Sequence, residues 1–375
     1  MAFSTHKQQQ YLPNLYGATA APPPTPSAQP NHHSAPSGVA VDALSKLLHR
    51  LPPTLSLPKR RSSPSAIISP PTLSLSDPNL NHLLLSSASE LGFFQLKNHN
   101  IPSQLANSAE TEALSLFKLA RDQKESRFPR NWPLGFDVDD EEEDGDGKGE
   151  SFCLDAACST ESTDLSLSSV REFTRSLEKL GLKIIDTLAN AMGFENPIGE
   201  DSTRVCSLMW ITEGLNGDRD RDKPSGGFYP YVIGLQYQIR SQKYSLLKDS
   251  GLVSVSPQVD SIMVTLGDIA QVWSNGKVSK VRGRPVASLG DGNNCGCISM
   301  SLLVTIPVDS RVKPMVSKVI DEGGIGIGDQ DESQVCGNKE EEEERVFNPF
   351  SFEEYAWRVY HESYLFKDPL DRYRV

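Results

Sequence analysis

The segment that decides the fold is Ser261-Ile-Met-Val-Thr-Leu-Gly-Asp-Ile-Ala-Gln-Val-Trp-Ser-Asn-Gly276. It contains two short apolar runs, 261–266 and 270–273, which we predict to be buried strands. Ser274-Asn275-Gly276 then signals a tight turn, because Asn and Gly tolerate the left-handed backbone that hairpin turns require. Similar short runs rich in β-branched and aromatic residues occur at 205–211, 243–247, 252–255, 277–286 and 298–306. This pattern predicts a two-sheet jelly roll over 201–310.

The chain before this sheet region, 65–200, is predicted to be mainly helical. Helices are expected at 77–91 and 102–123, with a buried strand at 93–96 between them. The clearest helix has apolar residues at three- and four-residue spacing, namely Val170, Phe173, Leu177, Leu180, Ile184, Leu188 and Met192. A last amphipathic helix is expected at 352–360, within a C-terminal region of 347–375. The predicted fold class is therefore α+β: a distorted double-stranded β-helix (jelly roll) with N-terminal scaffold helices and a C-terminal helix.

Three segments have the composition of disordered chain. Residues 1–64 form a low-complexity tail, in which an apolar stripe over 41–51 is typical of a short helix. An acidic insert is expected at 137–162, where nine acids and one lysine fall between Asp137 and Glu150. A second insert, 311–346, is rich in Gly and acids. The two inserts account for the net charge of -12, so the rest of the chain is close to neutral.

Composition also excludes several classes of protein. No run of ~20 apolar residues could span a bilayer, and the N-terminus lacks the apolar stretch of a secretion signal. The nearly neutral folded part gives no support for binding nucleic acid. The six cysteines are expected to be reduced thiols, and Cys295, Cys297 and Cys206 lack the spacing of a metal site. We expect a cytoplasmic protein, with the nucleus and the plastid as alternatives.

Three segments in this order resemble the plant iron(II)/2-oxoglutarate oxygenases, in particular the gibberellin 2-oxidase branch. They are Glu90-Leu-Gly-Phe-Phe-Gln-Leu-Lys-Asn-His-Asn-Ile-Pro102, Leu266–Gly276 of the opening segment, and Phe350-Ser-Phe-Glu-Glu-Tyr355 followed by Asp371-Arg-Tyr-Arg374. The resemblance implies a jelly roll that holds iron(II) with two histidines and one carboxylate, and that binds 2-oxoglutarate as cosubstrate.

The same resemblance assigns the site positions. The His-x-Asp that supplies two iron ligands reads Gln238-Ile239-Arg240, and the second histidine position is Gly283. The Arg-x-Ser that binds 2-oxoglutarate reads Cys297-Ile298-Ser299. These five positions, Gln238, Arg240, Gly283, Cys297 and Ser299, are interpreted as vestigial. No histidine occurs anywhere between residues 100 and 360, so no shift of the alignment restores the ligands.

Two functions follow as alternatives. In the first, the protein is a catalytically inactive relative without metal, iron or 2-oxoglutarate, and it binds an unknown protein or small-molecule ligand. In the second, it is an active dioxygenase on a small plant metabolite such as a gibberellin, with an atypical metal site. Gln238 and Arg240 could form a new anion site, although a self-satisfied polar pair is the more frequent outcome.

Overall fold

The computed structural model describes residues 67–138, 149–159, 166–199, 201–213, 227–288, 298–316, 345–362 and 367–375. Within these ranges the α-helices are α1 (Leu80–Glu90), α2 (Ser103–Phe117), α3 (Arg121–Arg127), α4 (Ser168–Met192), α5 (Asp268–Trp273) and α6 (Phe352–Glu362). The strands are β1 (Thr72–Ser74), β2 (Phe93–Lys97), β3 (Gly135–Val138), β4 (Glu150–Asp155), β5 (Cys206–Glu213), β6 (Ile233–Tyr237), β7 (Lys243–Lys248), β8 (Gly251–Val255), β9 (Ile262–Leu266), β10 (Arg282–Ser288), β11 (Ile298–Thr305), β12 (Arg311–Val312) and β13 (Phe350–Ser351). The predicted tail at 1–64 and residues 317–344 of the second insert lie outside the described residues.

Two sheets form the centre of the described chain. The larger has eight strands in the order β1-β2-β9-β6-β11-β5-β4-β3, and the smaller has three in the order β10-β7-β8. Phe93 and Met263 of the larger sheet pack against Tyr244, Leu246 and Val255 of the smaller sheet in a shared apolar cluster. This arrangement, with helices before and after it, confirms the predicted α+β double-stranded β-helix.

Helix α4 covers the outer face of the larger sheet. Its predicted apolar stripe is buried along the observed helix, Ser168–Met192, except for the half-buried Met192 at its end. A Cβ atom at Gly181 would lie 3.0 Å from both Leu235 Cδ1 and Val304 Cγ2, so glycine allows this close approach of helix to sheet. Since side chains alternate along a strand, Gln236 of β6 points away from α4, toward the smaller sheet.

Three predicted elements are wrong in kind or extent. The run 270–273 is not a strand but part of helix α5, all six residues of which are buried. An apolar run that is buried on every side does not distinguish strand from helix by its periodicity. The helix predicted over 102–123 is two helices, α2 and α3, and the strand predicted over 277–286 begins only at Arg282.

The acidic insert predicted at 137–162 is ordered in part. Residues Glu150–Asp155 form strand β4, which pairs with β5 from Ser151↔Thr212 to Asp155↔Leu208. Phe152 is fully buried there and contacts the rings of Phe128 and Phe136. The prediction of disorder over these residues is therefore wrong, because the acids cluster before the strand. Residues 139–148 and 160–165 lie outside the described residues.

The C-terminal segment is held to the sheets by a buried group of charges. Helix α6 confirms the helix predicted at 352–360. After it, Asp368 accepts a hydrogen bond from the Nζ atom of Lys280, which also donates to Asp268 Oδ1 over 2.9 Å. The Lys280 side chain is fully buried, so its two carboxylate partners are what makes its charge tolerable there. No helix among the described residues is long and apolar enough to cross a membrane.

Candidate functional site

The predicted site positions lie at strand ends in both sheets. Gln238 follows β6 directly, and Arg240 comes two residues later, before β7 begins. Ser299 lies in β11, which pairs with β6 in the larger sheet. Gly283 lies in β10 of the smaller sheet. Cys297 is outside the described residues.

Gln238 is fully buried, and its side chain binds the backbone of strand β6, which precedes it. Its Nε2 atom donates to the carbonyl oxygen of Gln236 over 3.2 Å. Its backbone is fixed by hydrogen bonds with Ser261 and Asp260, both 2.9 Å long. Its Oε1 atom is buried and receives no hydrogen bond from the described residues. A buried acceptor in this state costs about 1–3 kcal/mol, so this oxygen is suited to receive a donor from outside the described chain.

Arg240 forms an ion pair with helix α2. Its Nη2 atom donates to Glu110 Oε2 over 2.6 Å. The Arg240 side chain is 45% exposed, whereas that of Glu110 is 9% exposed. The position that the resemblance assigns to a carboxylate ligand therefore carries a guanidinium, which is held by a carboxylate from another element.

Gly283 leaves no room for a side chain. Its φ of +69° lies in the left-handed region that favours glycine. A Cβ atom there would lie 2.4 Å from Phe228 Cδ1 and 2.6 Å from Phe228 Cε1. The Tyr231 hydroxyl also lies 3.0 Å from the Gly283 carbonyl oxygen, which it can bind as a donor. The ring of Phe228 thus fills the space that a ligand from position 283 would need.

Ser299 already has a partner within the protein. Gln236 Nε2 donates to Ser299 Oγ over 2.8 Å, and Ser301 Oγ donates to Gln236 Oε1 over 3.4 Å. Gln236 and Ser301 are each 3% exposed and Ser299 is half-buried, so this chain of polar groups lies mostly out of solvent on the inner face of the larger sheet. Buried polar groups that satisfy one another need no further ligand.

Next to Gly283, Arg284 lies between the sheets. Its guanidinium carbon is 4.2 Å from the centroid of the Trp210 ring, a distance typical of a cation–π contact. Burial raises the pKa of the Cys153 thiol well above its ordinary value, and the positive charge of Arg284 offsets this only in part. Cys153 is therefore a neutral thiol.

Cysteine does not supply an alternative metal site in the described chain. Cys153, Cys158 and Cys206 are free thiols, and burial raises the pKa of the Cys158 thiol to about 11. Among the described residues, no group of three or more His, Cys, Asp or Glu side chains could hold a metal ion. Cys295 and Cys297, which the sequence places in one run, lie outside these residues.

A cleft opens beside Arg240 at the end of the larger sheet. We call it the Arg240 cleft; it is open to solvent, and the volume inside it that a water molecule can reach is about 20 Å³. It is lined by Glu110, Phe173, Gln236, Tyr237, Ile239, Arg240, Gln242, Tyr244, Ile298, Ser299 and Met300. Burial and the hydrogen bond to Asp260 raise the pKa of Tyr237 to about 12, so this phenol stays protonated. Gly283 lines a different cleft, together with Phe228 and Tyr229.

Reasoning from the sequence missed three residues that shape these clefts. Phe228, Gln236 and Glu110 each occupy or pair with a predicted site residue. A polar Gln236 within the apolar run 231–237 is a signal that could have been noticed, because such a residue needs a buried partner. Phe228 and Glu110 carry no comparable signal.

The chain is similar in sequence to a known family and to several plant enzymes. Residues 68–144 match the family described as non-haem dioxygenase in morphine synthesis N-terminal. The chain is 22% identical to gibberellin 2-beta-dioxygenase 1 of Arabidopsis thaliana over 317 residues, which is 77% of this chain and 88% of the relative. It is 26% identical to 1-aminocyclopropane-1-carboxylate oxidase of Persea americana over 293 residues, or 73% and 82% of the two chains.

These matches support the plant 2-oxoglutarate/iron(II) oxygenase superfamily as the group of proteins that this chain resembles. Solved structures have the same fold at low sequence identity. The crystal structure of JOX2 in complex with 2OG, Fe and JA matches with a TM-score of 0.60 at 15% identity, covering 83% of this chain and 90% of that one. The dioxygenase for auxin oxidation from rice matches with a TM-score of 0.56 at 17% identity, covering 82% and 100%.

The resemblance to this oxygenase superfamily assigns positions 238, 240 and 283 to the metal. In this chain these positions present a buried amide, a guanidinium and no side chain. Each is occupied by the protein itself: Gln238 by its own strand, Arg240 by Glu110 and Gly283 by Phe228.

Proposed function

We propose that this oxygenase-like protein, related to the gibberellin oxidases, does not catalyse the iron-dependent reaction and acts by binding a protein or a small molecule. The observation that carries the proposal is the ring of Phe228 at Gly283. A Cβ atom at this position would lie 2.4 Å from the ring, so any side chain would have to push the ring aside. The backbone would also have to keep a φ of +69°, which residues other than glycine rarely adopt. If position 283 is the third ligand position, as the resemblance implies, it supplies no side chain and the packing around it leaves no room for one.

The residues present do not fit an iron(II) ion. An amide oxygen is a weak donor compared with imidazole or carboxylate, and a guanidinium is a fixed cation. Two unit charges about 4 Å apart interact by ~4 kcal/mol near a protein surface, so Arg240 would repel a divalent ion strongly. Glu110 offsets part of this repulsion, but it does so by binding Arg240 and not by facing a metal.

The residues present also do not fit 2-oxoglutarate. The resemblance assigns its distal carboxylate to an arginine at position 297, where this chain has Cys297. The remaining anchor, Ser299, receives its hydrogen bond from Gln236. A carboxylate there would have to replace a buried amide and would find no bidentate cation at position 297.

A second candidate is an active dioxygenase on a small metabolite such as a gibberellin, with an atypical metal site. Two observations favour it. The relatives that the chain resembles are named as enzymes. Gln238 Oε1 is buried without a donor among the described residues, so it is free to coordinate an ion that the sequence does not predict.

Metal content separates the two candidates. The purified protein is incubated anaerobically with excess iron(II) or manganese(II), desalted and analysed for metal, with a gibberellin 2-beta-dioxygenase treated in parallel. We expect far less than one equivalent of metal in this protein. About one equivalent, removed by a chelator, would support the active enzyme and rule out the proposal.

A further inference from the structure

From the outer side of helix α6, we infer that this helix binds an arginine-rich segment of a partner protein. The surface, which we call the Trp357 face, consists of Glu353, Glu354, Trp357 and His361, all of which are exposed. The inference rests on the proposed function only in giving its binding role a partner, since none of these residues is a predicted metal or cosubstrate position.

Trp357 is the one large aromatic side chain among the described residues that is exposed. It is 55% exposed, whereas the other exposed large apolar side chains of the described chain are aliphatic. Helix α6 is anchored by Tyr355, Ala356 and Val359, which are buried, so its own packing does not require a ring at position 357. Tryptophan is among the residues most enriched where proteins bind one another. Its exposure on α6 therefore indicates a binding surface.

The ring of His361 extends this aromatic surface along the helix. Its centroid lies 4.6 Å from that of the Trp357 ring and 6.5 Å from that of the Trp132 ring. Glu353, Trp357 and His361 follow one another at four-residue spacing and so line one side of α6. From the first to the last of them an α-helix rises by about 12 Å, the length of three or four extended residues. A short extended peptide segment suits these dimensions.

The charge of the Trp357 face selects a cation. Glu353 and Glu354 lie about one turn before Trp357, and neither has a hydrogen-bond or ion-pair partner among the described residues. Acids in the first turn also interact favourably with the helix dipole, so they alone do not indicate a partner. Beside an exposed indole ring, however, they favour arginine, which stacks on tryptophan and pairs with a carboxylate at the same time.

The acidic run of the sequence lies next to this helix and adds to the selection. Tyr360 of α6 donates a hydrogen bond over 2.8 Å to Oδ2 of Asp137, where the run begins. Val138 pairs with Glu150 in the sheet, so both ends of the run are fixed at this place. Its nine acids and one lysine give a local charge of -8. Such a charge raises the association rate of a basic partner.

Two peptides of equal charge test the inference: a triarginine and a trilysine peptide, each with blocked ends and a neutral fluorescent label. Binding to the full-length protein is measured by fluorescence polarisation at low ionic strength, with EDTA present so that metal does not contribute. We expect the arginine peptide to bind about three- to fivefold more tightly, the effect of an exposed cation–π contact. Trp357→Ala should abolish this preference, and Trp357→Phe should keep part of it.

Leu83→Ala is the matched control for Trp357→Ala, because it truncates a large apolar side chain that is 37% exposed on helix α1. Helix α1 packs against α4, and this variant should keep the preference for arginine. Circular dichroism of each variant shows that its fold is intact, as expected for changes at exposed positions. Equal binding of the two peptides by the wild type, or an unchanged preference in Trp357→Ala, overturns the inference.

The two acids of the Trp357 face have a matched control as well. The double change Glu353→Gln and Glu354→Gln should weaken the binding of both peptides. The double change Glu172→Gln and Glu195→Gln removes the same charge from exposed positions on and just after helix α4. It should leave both affinities nearly unchanged at physiological ionic strength, where charges more than ~8 Å apart are largely screened. Equal effects of the two double changes would contradict a role of the α6 acids.

Two further measurements distinguish a partner protein from other occupants. Sedimentation that shows a dimer for the wild type but not for Trp357→Ala would assign the face to a second copy of the chain. Tighter peptide binding after replacement of Lys59, Arg60 and Arg61 by alanine would assign it to the N-terminal segment of the same chain. Either result overturns the assignment to a partner.

The failure of this inference differs from a failure of the proposed function. A protein that shows no preference for the arginine peptide and also holds no metal contradicts only the binding surface. A protein that holds one equivalent of iron contradicts the proposed function, whatever the two peptides do in EDTA.

Discussion

The Arg240 guanidinium and the Glu110 carboxylate meet at 2.6 Å, between the connection after β6 and helix α2. The carboxylate is almost buried and the guanidinium is half-exposed. The pair joins the scaffold helices to the sheet at the position where the resemblance expects a metal. An internal ion pair thus connects helix α2 to the segment that follows β6.

This ion pair should contribute measurably to stability. Glu110→Gln and Arg240→Gln should each lower the free energy of unfolding, and the double variant should be less destabilised than the sum of the two. We expect a coupling energy of about 1 kcal/mol, in the upper range for partly exposed pairs. Urea unfolding of the four proteins measures it. A coupling of zero would mean that the contact does not tie α2 to the sheet.

Any side chain at position 283 should destabilise the protein. The contribution of the clash with Phe228 can be measured separately from that of backbone strain. Gly193 has a φ of +77° but no atom within 4 Å of its virtual Cβ, so Gly193→Ala tests strain alone. We expect Gly193→Ala to cost ~1–2 kcal/mol. Gly283→Ala should cost a further ~1–3 kcal/mol, because it also meets Phe228.

Replacement of the aromatic ring provides the converse test. In a Gly283→Ala background, Phe228→Ala should be less destabilising than in the wild type, since it removes the clash. Urea unfolding gives each free energy. Equal losses for Gly283→Ala and Gly193→Ala, with no coupling to Phe228, would show that the ring moves aside without cost.

Much of the fold was predictable from local patterns. The stripe over 170–192 predicted helix α4, because apolar residues at three- and four-residue spacing line one face of an α-helix. The short β-branched runs predicted most of the strands, whereas the turn predicted at Ser274-Asn275-Gly276 ends helix α5 and does not join two strands. Helix α5 was predicted as a strand, since a short buried apolar run has no polar face to reveal its period. Strand β4 was missed because an acidic run precedes it.

The candidate site was predictable only in part. The resemblance to the oxygenase family identified Gln238, Arg240, Gly283 and Ser299 as positions of interest. What surrounds them depends on contacts between residues that are distant in the chain. Phe228 lies fifty-five positions before Gly283, and Glu110 lies far from Arg240 in the helical half. No local pattern encodes such pairs. The sequence therefore identified the residues at the expected ligand positions but not the side chains that contact them.

The buried charges at the C-terminal segment predict that the free energy of unfolding depends on pH. Burial opposes the ionisation of Asp368, but Lys280 outweighs this effect and holds the pKa of Asp368 below its usual value. Because this pKa is lower in the folded state, the stabilisation is complete at neutral pH and is lost as the pH falls below ~4. Asp368→Asn should cost about 2 kcal/mol at pH 7, less than a fully broken buried pair, because Asp268 remains.

Measurement of this effect requires a control at the same segment. Asp371 pairs with Arg374 but is 63% exposed, so Asp371→Asn should cost little at any pH. Urea unfolding at pH 7 and pH 3 should show that the gap between wild type and Asp368→Asn narrows at low pH. A gap that is independent of pH would mean that the Asp368 charge does not contribute.

The cosubstrate of the superfamily should not stabilise this protein. A ligand at a hundred times its Kd raises the free energy of unfolding by about 2.7 kcal/mol. We expect no shift of Tm with 2-oxoglutarate beyond that with succinate or malate, which control for ionic effects. A rise of several degrees with 2-oxoglutarate alone would show that Ser299 and its neighbours still form a binding site.

Reconstruction of the metal site tests whether Phe228 is the decisive obstacle. From the sequence alone, four changes restore the expected ligands and anchor: Gln238→His, Arg240→Asp, Gly283→His and Cys297→Arg. The structure predicts that this quadruple variant still fails, because a histidine at position 283 meets the Phe228 ring at its first side-chain atom.

Adding Phe228→Ala should allow partial iron binding, since it opens the space that the imidazole needs. Recovery remains partial for two reasons. Position 283 keeps a φ of +69°, which strains any residue other than glycine, and ligands misplaced by about an ångström bind a metal poorly. Arg240→Asp also removes the partner of Glu110, although a divalent cation can offset the two carboxylates.

Iron content and succinate formed from 2-oxoglutarate are compared among the wild type, the quadruple variant and the five-change variant. Equal iron in the quadruple and five-change variants would show that Phe228 is not the obstacle, and iron in the wild type at the same level would point to a metal site elsewhere.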